Sequence, residues 1–69
     1  MGVVKIGANL KRERERAFLS QRELAERAGI WYPTVSRIEK DHAEPHPRTI
    51  RKLAKALGID PAVLVKEEG

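Results

Sequence analysis

The chain has 69 residues, 14 Lys and Arg against 10 Asp and Glu, no Cys, and 41% apolar residues. That length holds one small domain, 1–69, and leaves no room for a second. Without Cys there is neither a disulfide framework nor a thiolate metal cage, and no apolar run is long enough to cross a membrane. The start, Met1-Gly2-Val3-Val4-Lys5-Ile6, lacks a signal-peptide core, so a cytoplasmic, soluble protein is expected. A net charge of +4 fits a polyanionic partner and equally fits plain solubility, so the position of the charges has to decide.

No stretch alternates at period two, and helical spacing recurs throughout. Ile6, Leu10, Arg14, Ala17 and Phe18 share one side of a helix over about residues 6–17, and the rest of the Lys11–Arg16 charge run lies mostly on its outer face. Ser20-Gln21-Arg22-Glu23 has the form of a capping box, opening a two-turn helix through Leu24, Ala25 and Ala28 that stops at Gly29. A third helix runs from about Pro33 to Lys40, since proline is tolerated in the first turn; Val35 and Ile38 face inward. Asp41 to Pro47 is the longest loop. Ile50, Leu53, Ala54 and Leu57 define a fourth helix over about 47–57, ended by Gly58. Asp60-Pro61 opens a short fifth helix with Leu64 inside, and Lys66 to Gly69 is expected to fray. The expected fold is all-α, five short helices around one core.

Helices two and three carry the information. Two short helices meet around Gly29, with Ala25 where their axes must pass closely; this is the spacing of a helix-turn-helix, here at about residues 20–40. Ser-Gln-x-Glu-Leu-Ala from Ser20, Ala-Gly-Ile from Ala28, Thr-Val-Ser-Arg-Ile-Glu from Thr34 and Lys-Ala-Leu-Gly-Ile from Lys55 together resemble the lambda repressor and Cro type (XRE-like) helix-turn-helix family, over about residues 6–65.

That resemblance implies a lambda-repressor-like domain that binds double-stranded DNA and reads the major groove with helix three. It implies that Gln21 holds a phosphate, in keeping with the positive end of a helix. It places base contacts at Trp31, Tyr32, Pro33, Thr34, Ser36 and Arg37. Arg37 carries a planar fork suited to guanine, with a phosphate contact or a solvated face as the alternatives. Trp31 and Tyr32 depart from the family pattern, which often has a capping Ser or Thr there. Either they meet thymine methyls and sugars, or Trp31 folds back on Ile30 and Val35 as a staple, the reading preferred for Trp31; the Tyr32 hydroxyl could reach a phosphate or base edge. Lys40 and Arg48 flank the loop that in the family runs beside the DNA backbone. The resemblance also gives Arg14, an inward charge, an ion-pair partner in Glu39.

An enzyme is the first rival. His42 and His46 sit with Asp41 and Glu44, but Pro45 and Pro47 prevent the helical spacing that would aim both rings at one ion, so no metal and no cofactor are expected. The second rival is an antitoxin-type module whose main partner is another protein, a toxin or other regulator domain. Sequence reading favours a transcriptional regulator, repressor-like and homodimeric, with Val63, Leu64 and Val65 as the expected dimer contact.

Overall fold

The structure, a computed structural model, describes residues 5–66. The start at 1–4 and the expected fraying at 67–69 lie outside the described residues. Five helices follow in order: α1 Gly7–Arg16, α2 Gln21–Ala28, α3 Tyr32–Glu39, α4 Pro47–Leu57 and α5 Pro61–Val65. The all-helical expectation holds. α1 is one residue shorter at each end than expected, and α3 begins and ends one residue earlier.

Each start has a local cause. Ser20 Oγ accepts from the Glu23 amide at 3.0 Å, while Glu23 Oε1 accepts from the Ser20 amide at 2.8 Å, completing the capping box. The Ser20 amide, and then its hydroxyl, hold the Glu23 carboxyl below its ordinary pKa. Asp60 Oδ1 caps the Ala62 amide at 2.8 Å, and His46 Nδ1 caps the Arg48 amide at 3.1 Å. Sequence reading did not foresee the histidine cap.

The ends of α1 to α4 share one device. A residue just past the helix turns left-handed, and the next amide reaches back five residues to a free carbonyl. Ile30 donates to Ala25 O at 2.9 Å beside Gly29 (φ 68), and Ile59 to Ala54 O at 3.0 Å beside Gly58. Leu19 donates to Arg14 O at 3.1 Å beside Phe18 (φ 58), and His42 to Arg37 O at 2.9 Å beside Asp41 (φ 57). Asp tolerates that conformation; a bulky aromatic does not.

The left-handed turn at Phe18 corrects the expected inner face of α1. Ile6 and Leu10 are buried, but Ala17 and Phe18 lie beyond the helix end and are exposed, Phe18 at 92%. The turn swings Leu19 into the core instead. Phe18 combines a strained backbone with a side chain that packs on almost nothing. Phe18→Gly should therefore stabilise the fold by about 1 kcal/mol, the left-handed cost relieved less the entropy that glycine adds to the unfolded chain. The urea midpoint should rise; an unchanged or lower midpoint would mean that the ring is held by contacts after all.

α2 packs on α3 and α4, α1 on α3 and α5, and α4 on α5. The core draws Leu10 from α1, Leu24 and Ala25 from α2, Val35 and Ile38 from α3, Leu53 and Ala54 from α4, and Leu64 from α5, each 2% exposed or less. Full burial of Leu64 corrects its expected place in a dimer contact. A side chain enclosed within its own protomer has no surface to offer another. Val65 is exposed and Val63 half-buried.

Two contacts that sequence reading missed fix α1. Asn9 Nδ2 donates to Leu64 O at 2.8 Å and Lys66 O at 2.7 Å, tying α1 to the end of α5. Gly7 donates its amide to Asp41 Oδ1 at 3.2 Å, and a Cβ at Gly7 would lie 2.6 Å from Glu39 O and 2.8 Å from Ile38 O. The start of α1 thus runs directly against the end of α3. Glu13 is buried between Arg12, at 3.4 Å, and Arg16, at 3.2 Å.

Candidate nucleic-acid interface

α3 buries Val35 and Ile38 against the core, which turns Thr34, Ser36 and Arg37 toward its other sides. Arg37 is exposed, whereas Pro33, Thr34 and Ser36 are half-buried. Lys40, just past the helix, is exposed, and so is Arg48 in the first turn of α4. Among the described residues, none of Arg37, Lys40 and Arg48 has a carboxylate in salt-bridge contact. Their charges are available to an outside anion.

Trp31 precedes α3 as its N-cap residue, with extended backbone and no side-chain cap bond. It is 73% exposed, which corrects the reading that it folds back on Ile30 and Val35. The staple is absent because the neighbouring aromatic takes the inward place: Tyr32 is half-buried and packs on the core. The Arg22 guanidinium lies over the Tyr32 ring, 4.6 Å from its centroid. Pro33 removes an amide from the first turn of α3, so that helix end is poorly equipped to hold an anion.

The position of α3 is set from behind by one carboxylate. Glu39 Oε2 accepts from Arg14 Nε at 2.6 Å, and Glu39 Oε1 accepts from Arg14 Nη2 and from Gln21 Nε2, each at 3.0 Å. Arg14 Nη1 also donates to Leu19 O at 2.8 Å. The two side chains are 12% and 4% exposed, and the fork-on-fork geometry is the strong form of this pair. The hydrogen bond to Glu39 outweighs the cost of burial and raises the Arg14 pKa above its ordinary value. Arg14 belongs to α1, Gln21 to α2 and Glu39 to α3, so this cluster joins three helices. The Gln21–Glu39 bond was missed, because nothing in the sequence shows that the end of α3 returns beside the start of α2.

Among the described residues no group of three or more His, Cys, Asp and Glu could hold a metal ion. No helix among them is long and apolar enough to cross a membrane.

α2, the turn at Gly29 and α3 define the class: a helix-turn-helix domain within a five-helix bundle. Residues 10–64 match the Helix-turn-helix family, and the chain belongs to it. It is 36% identical over 63 residues to an uncharacterized HTH-type transcriptional regulator of Mycobacterium tuberculosis, covering 91% of this chain and 45% of that protein. It is 38% identical over 53 residues to the HTH-type transcriptional regulator PuuR of Escherichia coli, covering 77% of this chain and 29% of PuuR. It is also 35% identical over 63 residues to the immunity repressor of Bacillus phage phi105, covering 91% of this chain and 44% of the repressor. The chain thus spans less than half the length of these relatives. Among solved structures, the restriction-modification controller protein C.AhdI of Aeromonas hydrophila superposes with a TM-score of 0.85 at 35% identity, over 90% of this chain and 94% of that one.

Proposed function

We propose that this chain binds double-stranded DNA sequence-specifically as a transcriptional regulator of the repressor kind, with α3 in the major groove. The observation that carries the reading is the brace behind α3: Glu39, held by Arg14 and Gln21, fixes a recognition helix whose Arg37 flank stays open. In this reading Arg37 reads a base edge, Thr34, Ser36 and Trp31 line the groove, Pro33 sets the entry of α3, and Gln21, Lys40 and Arg48 touch phosphates. Gln21 would donate to Glu39 and still offer the start of α2 to the DNA.

A single module of this size makes few base contacts, so a homodimer reading two half-sites about 34 Å apart is part of the proposal. Val63 and Val65 remain available for the contact. Beside Val65, between the start of α4 and α5, lies a groove of about 420 Å³ lined by Pro47, Ile50, Arg51, Pro61 and Ala62. The cytoplasm is the proposed location, and no cofactor or catalytic step is part of the reading.

Selection of bound duplexes from a random pool tests this directly: a recurrent two-half-site sequence is expected. With ~6–10 phosphate contacts per dimer, affinity should fall about 10³-fold or more between 50 and 200 mM salt. Arg37→Ala should cost about 1–3 kcal/mol on the selected site and much less on random duplex. Equal losses on both would move Arg37 to the phosphates, and no enrichment at all would end the DNA reading.

A further inference from the structure

Arg22 stands next to Gln21 in the first turn of α2 and is exposed. Its guanidinium rests on the Tyr32 ring, the first residue of α3, so this contact spans the two helices of the motif. Glu26, one turn further along α2, has the spacing to pair with it. Yet among the described residues no carboxylate is in salt-bridge contact with Arg22. A cation this near a helix start is also disfavoured by the helix dipole. Among the described residues the contact that steadies this charge is therefore the ring face, not a carboxylate in salt-bridge contact.

A guanidinium lying on an aromatic face keeps its N–H groups directed outward, the arrangement in which it can take two phosphate oxygens at once. Tyr32 is anchored on the core, so the platform itself is fixed. From this we infer that Arg22 is a phosphodiester-binding residue positioned by the Tyr32 ring, the two acting as one clamp beside Gln21. The inference rests on the DNA-binding reading and adds a contact within it. Arg22 touches the ligand; Tyr32 acts through Arg22, by its ring rather than its hydroxyl.

The test uses the full chain and the duplex selected as above, with binding measured from 50 to 200 mM salt. Arg22→Ala should lower the slope of log affinity against log salt by about 0.9 per bound protomer. Over that fourfold rise in salt the variant should then lose about 3.5-fold less affinity per protomer than the parent. Its discrimination between selected and random duplex should stay unchanged, because a backbone contact carries no sequence. Tyr32→Phe should bind as the parent does. Tyr32→Leu should lower the slope as Arg22→Ala does, and combining the two should lower it no further. An unchanged slope for Arg22→Ala overturns the inference while leaving DNA binding intact, as does Tyr32→Phe behaving like Tyr32→Leu. If the parent binds no duplex with salt dependence, the DNA reading itself fails and the clamp with it.

Discussion

Glu39→Gln is expected to lower the melting temperature by about 10–20 °C, a loss of about 2–3 kcal/mol in a domain of this size. Both carboxylate oxygens accept hydrogen bonds, Oε2 from Arg14 and Oε1 from Arg14 and Gln21. An amide keeps one acceptor and presents its NH2 group to a donor, leaving the largely enclosed Arg14 side chain without a counter-charge. Such a loss is a large share of the total stability of a small domain. Gln21→Ala, which removes one bond of the set, should cost about 1 kcal/mol. Thermal melts followed by circular dichroism decide the matter. An unchanged Tm for Glu39→Gln would show that the cluster does not hold α3 in place.

Gly7→Ala should destabilise by about 3 kcal/mol, although alanine is in general the better helix former. The added carbon would sit 2.6 Å from Glu39 O and 2.8 Å from Ile38 O, and both are backbone atoms that cannot swing aside. α1 would have to retreat from the end of α3, lengthening the 3.2 Å bond between the Gly7 amide and Asp41. Denaturant unfolding measures this, and a midpoint equal to the parent's or higher would refute the close approach. If α3 enters the groove as proposed, a weakened DNA affinity should accompany the loss, because the same contact helps to seat α3.

Particular residues show how far the sequence could be read. Ser20 with Glu23, Gly29, Gly58 and Asp60-Pro61 marked helix limits correctly, because capping and left-handed turns are local chemistry that a few adjacent residues settle. Phe18 and Asp41 form the same left-handed closures as the two glycines, yet carry no such mark. There the path of the chain imposes the conformation, on an aromatic that would not choose it at Phe18 and on a residue that merely tolerates it at Asp41. Trp31 and Tyr32 are adjacent aromatics of similar size, and only packing decides that Tyr32 turns inward while Trp31 stays out. Leu64 was assigned two roles by its position, core and dimer contact, and its full burial leaves the first.

By itself, the sequence determined the helical periodicity, most of the helix limits and the motif that assigns the chain to its family, since the periodicity, the limits and each piece of the motif depend on residues within a turn or two of one another. Tertiary structure decided what crosses between helices: Gln21 on Glu39, Arg22 on Tyr32, Asn9 on the end of α5, and Gly7 against the end of α3. Such contacts join residues from 10 to more than 50 positions apart, as Arg22 to Tyr32 and Asn9 to Leu64 show. Their distances follow from how the helices pack, and no local spacing encodes that.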